Sequence, residues 1–311
     1  MQHPDLRLLV MGNPVARAFA IVGDAWTQLI LREAFYGVRR FNVWCERLGT
    51  PRSVLTDRLG RLVEAGIFVQ TQAETGLRTE YRLTDRGLDL FGVAVMQGQW
   101  ERVWAASALQ ERYEIAFFDR ESGGRIQPVV LTEPFGKPVD PTRVTWEAGP
   151  GLKLIDPPTS RRRRSVPASS DRPIIDRSTE IIGDYWSWAV LSAAFFRVRR
   201  FDEFHSVLGV ATNILADRLA RLTAHGVLEK RPYQRTPLRY EYRLSRAGRD
   251  MYPIVLAMLG WSQKWLLSPR ERPLILKDRD SGKALKPTVC DLETGQPMNP
   301  RATRWDVERA D

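Results

Sequence analysis

Apolar residues recur along this chain at helical spacing, give way to short alternating runs, and then repeat both patterns. In the first stretch, Asn13-Pro14 opens a helix carrying Ala18, Phe19 and Val22, and Asp24 caps a second one carrying Trp26, Leu29, Ile30 and Phe35. A short helix over Phe41–Leu48 ends at Gly49. Thr50-Pro51 is then a start signal, a capping residue followed by proline at the first helical position. In the helix that follows, Leu55, Leu59 and Leu62 recur at i, i+4 and i+7 and form the core face, leaving Arg52, Ser53, Thr56, Asp57, Arg58 and Arg61 on the other faces. Gly66 stops it. Ile67–Gln72 and Thr79–Leu83 predict two strands around the turn Glu74-Thr75-Gly76. Thr84-Asp85 then caps a long helix carrying Leu88, Phe91, Val95, Trp100 and Trp104. The last three of these helices, the hairpin and the further helix are the order of a winged helix-turn-helix.

The same pattern returns about 160 residues later. Gly23–Phe41 aligns with Gly183–Phe201, Leu48–Gly66 with Leu208–Gly226, and Glu80–Gly87 with Glu241–Gly248. Trp100 and Trp104 match Trp261 and Trp265, spaced i, i+4, which suits either a ligand pocket or, the favoured reading, burial between two paired long helices. A tail also recurs: Asp119-Arg120-Glu121-Ser122-Gly123 matches Asp278-Arg279-Asp280-Ser281-Gly282, and Gly136, Pro141 and Trp146 match Gly295, Pro300 and Trp305. Its short alternating runs, Ile115–Phe118, Pro128–Leu131 and Val144–Trp146, predict a small β-element. Gly149–Pro173, rich in Pro, Gly, Ser and Arg, reads as a basic flexible linker. The expected organisation is a winged helix at 1–110, a β extension at 111–148, a linker at 149–173, a second winged helix at 174–269 and a second extension at 270–311. The fold class is helix-rich α+β.

Composition adds a partner. A net charge of +10 asks for a polyanion, nucleic acid before an anionic membrane. Forty of the 47 basic residues are Arg, which a GC-rich coding sequence also produces, so charge alone does not decide. The two cysteines, Cys45 and Cys290, cannot build a disulfide framework or a four-sulfur zinc site, which fits a reducing cytoplasm. No apolar run reaches the ~18–20 residues of a membrane span, and the N-terminus lacks signal-peptide order, so a cytoplasmic, nucleoid-associated protein without membrane contact is expected. Three histidines in no ligand spacing, and no phosphate loop, nucleophile elbow or His-Glu-x-x-His, argue against an enzyme and imply no cofactor.

The run Gly23–Phe41, then Leu48–Gly66, then Arg78–Gly87, each occurring twice, resembles the HxlR family of bacterial regulators, relatives of MarR-type winged helices. The resemblance covers about residues 15–106 and 175–266. It implies a DNA-binding transcription regulator, and occupation of a promoter, as a repressor, is the expected mode of action. Members are usually homodimers whose terminal helices pair, whose third helices enter major grooves and whose wings flank them. Carried over by position, the third helices are Thr50–Leu62 and about Thr212–Leu222. Base-facing positions would be Arg52, Ser53 and Thr56, matched by Thr212, Asn213 and Ala216; Arg58, Arg61, Arg218 and Arg221 would reach phosphates. Arg39-Arg40 and Arg199-Arg200 would contact the backbone ahead of the second helices. The wing arginines would be Arg78 and Arg239, with Arg231 and Arg235 added in copy two. Asp57 and Asp217 are expected to pair with Arg61 and Arg221. The tail is similar to a zinc-ribbon extension in which Asp and Ser stand where the thiolates of the first knuckle would be, so no metal is expected.

Double-stranded DNA is therefore the expected partner, bound by a monomeric pseudo-dimer or a homodimer, with an unidentified small-molecule effector a further candidate. The alternative is that one winged helix, the second before the first, has left DNA and binds a protein or small molecule.

Overall fold

Capping side chains set where several helices of each copy begin, and glycines set where several of them end. The computed structural model describes residues 5–72, 79–104, 113–133, 136–157, 176–268 and 270–309. In the first copy α1 (Leu6–Gly12) and α2 (Pro14–Val22) precede α3 (Ala25–Phe35), α4 (Phe41–Leu48) and α5 (Arg52–Glu64). The wing strands β1 (Phe68–Gln72) and β2 (Thr79–Leu83) pair antiparallel, and α6 (Asp85–Leu88) and α7 (Phe91–Trp104) follow. Asn13 accepts from the Ala16 amide at 3.0 Å and Asp24 from the Thr27 amide at 3.2 Å, so both expected caps form. Gly49 closes α4 in the left-handed region at φ 57°, where a Cβ would be strained.

Three local expectations change. Thr50 does not cap α5: Pro51 takes the N-cap position, the helix starts at Arg52, and the buried Thr50 hydroxyl has no partner among the described residues. The long helix expected after Thr84 is two. Thr84 caps α6 through the Gly87 amide at 3.2 Å, a turn at Asp89-Leu90 follows, and α7 starts at Phe91. Finally, α1 was not anticipated. It buries Leu9, Val10 and Met11, and it packs on α9 and α10 of the second copy as well as on α2 of its own.

The tail of copy one supplies β3 (Tyr113–Asp119), β4 (Arg125–Ile126), β5 (Pro128–Glu133), β6 (Lys137–Pro138) and β7 (Val144–Ala148). Copy two repeats the plan with α8 (Asp176–Ile182), α9 (Tyr185–Phe195), α10 (Phe201–Leu208), α11 (Thr212–Ala224), β8 (Leu228–Arg235), β9 (Leu238–Leu244), α12 (Arg246–Arg249), α13 (Tyr252–Trp265), β10 (Leu274–Asp278), β11 (Ala284–Asp291) and β12 (Thr303–Arg309).

The two tails, expected as separate extensions, are interlaced. One sheet runs β6-β5-β11-β10-β7 and another β12-β3-β4, so strands of opposite copies lie side by side. β12 of copy two pairs with β3 of copy one, and β7 of copy one pairs with β10 of copy two, which is the same contact seen from the other side. β5 and β11 pair antiparallel with Val130 opposite Val289, residues 159 apart and equivalent in the repeat. A pseudo-twofold axis therefore passes through that pair. Each tail ends on the other copy's winged helix. Trp305 packs on Phe35, Tyr36 and Phe91 with centroids 6.0, 5.1 and 5.1 Å away, and Trp146 meets Phe196 at 4.8 Å.

The long helices obey the same axis. Trp100 Nε1 donates to the Ala247 carbonyl at 2.9 Å, and its equivalent Trp261 donates to the Arg86 carbonyl at 2.8 Å. Trp104 Nε1 reaches Asp250 at 3.2 Å and Trp265 Nε1 reaches Asp89 at 2.8 Å. Each indole thus gains a partner only in the paired state, which satisfies its polar atom while its ring fills the interface.

The segment expected as linker starts bound. Gly149 N donates to the Pro273 carbonyl at 3.1 Å, and Arg272 N to the Pro150 carbonyl at 3.0 Å. Residues 158–173 of that segment lie outside the described residues. In the knuckles, Asp119 Oδ1 accepts from the Ser122 amide and hydroxyl at 2.8 and 2.9 Å, and Asp278 Oδ1 does the same with Ser281 at 2.8 Å each. A carboxylate and a hydroxyl hold each turn by hydrogen bonds.

Candidate nucleic-acid interface

The third helix of each copy is fixed by its leucines. Leu55, Leu59 and Leu62 on α5, and Leu215, Leu219 and Leu222 on α11, are all fully buried. With that stripe turned inward, helical geometry turns Arg52, Ser53 and Thr56, and likewise Thr212, Asn213 and Ala216, outward, and all six are exposed. Arg52 is held in place: it donates to Asn42 Oδ1 at 3.1 Å and its guanidinium lies 4.8 Å from the Phe41 ring centre. An arginine restrained this way loses less entropy on making a bidentate contact. In copy two, Asp202 stands where Asn42 does, and the matching arginine is Thr212.

The arginines expected at phosphates divide into two groups. Arg58 is only 22% exposed and donates to Asp24 at 2.9 Å and Asp57 at 2.5 Å. Its equivalent Arg218 is 17% exposed and bonds to Asp184 at 2.9 Å and also to Asp217. Burial alone would push the Arg218 pKa down, but the two carboxylates hold it above the ordinary guanidinium value. Arg221, 20% exposed, reaches Asp184 at 3.5 Å and the Glu180 carbonyl. These three face inward and tie the third helix to the start of the first helix of the motif. Arg61 remains outside, 56% exposed, and pairs with Asp57 at 3.2 Å. In copy two the expected Asp217–Arg221 pairing is replaced by Asp217–Arg218, because Asp184 draws Arg221 away.

Arg39-Arg40 and Arg199-Arg200 are exposed and joined to the wings. Tyr81 N donates to the Arg39 carbonyl at 2.9 Å, and Tyr242 N to the Arg199 carbonyl at 2.7 Å. Arg40 is half exposed beside Glu80 at 3.6 Å, in a cleft of about 250 Å³ that Arg39, Arg47 and Tyr36 also line. Arg200 sits 4.4 Å from the ring of Tyr233 on the wing strand β8. Arg235 and Arg239 are exposed near the tip of that hairpin, whereas Arg231 is paired with Glu229. Arg78 lies outside the described residues.

The sequence offers Asp24 only as a helix cap and does not single out its equivalent Asp184. Their second role, as partners of Arg58 and Arg218, had a trace in the sequence: both pairs are 34 residues apart. Asn42 left no such trace. Cys290 is buried, and burial, with Glu133 and Asp291 nearby, pushes its thiol pKa up. Among the described residues no cluster of three or more His, Cys, Asp or Glu side chains is disposed to hold a metal.

A family described as HxlR-like helix-turn-helix matches residues 21–108 and again 181–269. The chain belongs to that family. Among the relatives of this chain, the uncharacterized HTH-type transcriptional regulator Rv3095 of Mycobacterium tuberculosis is 39% identical over 154 residues, 49% of this chain and 96% of the relative. The uncharacterized HTH-type transcriptional regulator sll1512 of Synechocystis is 32% identical over 93 residues, 30% of this chain and 69% of that protein. The solved structure of PA1607 is 36% identical, covers 43% of this chain and 93% of its own, and superposes with a TM-score of 0.39. Rv3095 is thus about one copy long, tail included, where this HxlR-like chain has two.

Proposed function

We propose that this HxlR-like protein is a transcription regulator that binds double-stranded DNA as a single chain, both winged helices on one operator, and represses by occupying promoter DNA. The reading rests on one observation: the two copies are related by a pseudo-twofold axis that β3–β12, β7–β10 and the reciprocal tryptophan bonds all obey. B-DNA has twofold symmetry of its own, and helix-turn-helix dimers use it to place two recognition helices about one turn apart. Here one chain supplies both helices, and they are chemically unequal. Arg52 suits the O6/N7 edge of guanine, while Asn213 suits adenine. Arg39, Arg40, Arg61, Arg199, Arg200, Arg235 and Arg239 are the phosphate-facing set, and Arg58, Arg218 and Arg221 position the helices. The protein acts at the nucleoid.

Footprinting of the purified chain on fragments it selects from genomic DNA, with the bound mass measured in parallel, tests the reading. One chain per site and two dissimilar half-sites are expected. Two chains on a strict palindrome, one module of each in contact, would exclude it. Deleting the gene should raise transcription from a promoter carrying the site; a fall would exclude the repressor role.

A further inference from the structure

The axis relates the backbones of the two copies, but at its centre the side chains are opposite in character. On one side Gln28 of copy one accepts from Gln97 Nε2 at 3.0 Å and from Thr179 Oγ1, of copy two, at 3.2 Å. On the other side the equivalent positions hold Trp188, Met258 and Phe19. Phe19 of copy one stacks on Trp188 of copy two, rings parallel and 4.2 Å apart, and lines a small cavity together with Met258. All six side chains are at most 8% exposed. Copy one therefore offers Phe19, Gln28 and Gln97, and copy two offers Thr179, Trp188 and Met258.

We infer that these two faces form a heterotypic lock: the copy-one face fits the copy-two face and not a second copy of itself. Pairing two copy-one faces would put Phe19 in the place of Thr179 at both sites. Each buried Gln28 would lose a donor and face a phenyl ring. Pairing two copy-two faces would leave Trp188 and Met258 against a threonine hydroxyl without an acceptor, and no stack would form. A buried polar group left unpaired is the costlier error, since it forfeits water without replacement. Specificity of this kind is set as much by what the wrong pairing breaks as by what the right one makes. The backbone ladders between the tails would form in either pairing, so discrimination falls to buried side chains, and these six carry it at the centre.

The inference rests on the single-chain arrangement proposed above, so its test reads mass and melting and makes no use of DNA. Three full-length variants are compared with the parent. The first carries Phe19→Thr, Gln28→Trp and Gln97→Met, giving two copy-two faces. The second carries Thr179→Phe, Trp188→Gln and Met258→Gln, giving two copy-one faces. The third carries all six, exchanging the faces and restoring every pairing in mirror image. Each half-exchanged variant should melt at least about 8 °C below the parent, and the six-fold variant should recover at least half of that loss and stay monomeric by light scattering. A six-fold variant no more stable than the half-exchanged ones, or half-exchanged variants as stable as the parent, would overturn the lock. A dimeric parent would instead overturn the single-chain arrangement.

Discussion

Replacing the carboxylate that joins the first helix of the motif to the recognition helix should hurt the two copies unequally. Asp184 caps α9 by accepting from the Trp186 and Ser187 amides at 3.1 and 3.0 Å, and it also holds Arg218 at 2.9 Å and Arg221 at 3.5 Å while only 15% exposed. Asp24 caps one amide at 3.2 Å and holds Arg58 alone, at 39% exposure. A lost cap costs ~1 kcal/mol. An ion pair as exposed as Asp24–Arg58 adds ~0.2–1 kcal/mol, and Arg58 keeps Asp57, so Asp24→Ala should cost ~1–2 kcal/mol. A largely buried charged hydrogen bond is worth ~1.5–3 kcal/mol, so even with Arg218 keeping Asp217, Asp184→Ala should cost ~2.5–4 kcal/mol. Asp184→Asn keeps the capping oxygen and loses the charge, and should recover ~1 kcal/mol of that. Urea unfolding followed by tryptophan fluorescence measures all three. Protection at the half-site read by α11 should weaken with Asp184→Ala while the other half persists. Equal losses for Asp24→Ala and Asp184→Ala, or an Asn variant as unstable as the Ala variant, would refute the reasoning.

Binding should be strongly salt-dependent, since neutralising ~6–10 phosphates costs ~10³–10⁵ in affinity between ~50 and ~200 mM salt; Arg40→Ala with Arg200→Ala should weaken all sequences alike and flatten that slope in a filter-binding titration. Arg52→Ala should relax base preference in one half-site only, at ~1–3 kcal/mol, read by selection on randomised duplexes. Gly149→Ala should lower the melting temperature by several degrees, because a Cβ there would stand 1.9 Å from the Arg272 carbonyl oxygen, where β7 leaves the shared sheet. The Asp119 and Asp278 pKa values are lowered chiefly by the Ser122 and Ser281 amides, so their contribution is complete above the ordinary carboxylate range and is lost as pH falls through the lowered values. Asp119→Asn with Asp278→Asn should flatten the stability–pH profile below about pH 4, and an unchanged acid limb would count against the knuckle bonds.

Elements with their own periodicity and caps were legible in advance. The leucine stripe of α5 and α11, the Asp24 cap and the wing hairpins all depend on neighbours within a few turns. The interlaced tails were not legible, because alternation announces a strand without saying which strand it pairs with. Val144–Ala148 reads the same whether its neighbour is in its own tail or, as here, β10 of the other copy. At the candidate interface, exposure of Arg52 follows from the position of Leu55, Leu59 and Leu62. The inward turn of Arg58 does not, since it depends on Asp24 34 residues away. Thr50 looked like a cap by residue type, but the backbone of Pro51 had already taken that position.

In a regulator built from two chains, dilution separates the partners, and at low copy number operator occupancy rises with the square of the chain concentration. Here the strands that would dissociate belong to one polypeptide, and tethered partners meet at effective concentrations in the mM range for short flexible links. The copies cannot be diluted apart, so occupancy should rise linearly with the number of molecules. With both copies on one operator, as proposed, fusion would remove the threshold that separate subunits impose: halving the number of molecules would halve the occupancy rather than quarter it.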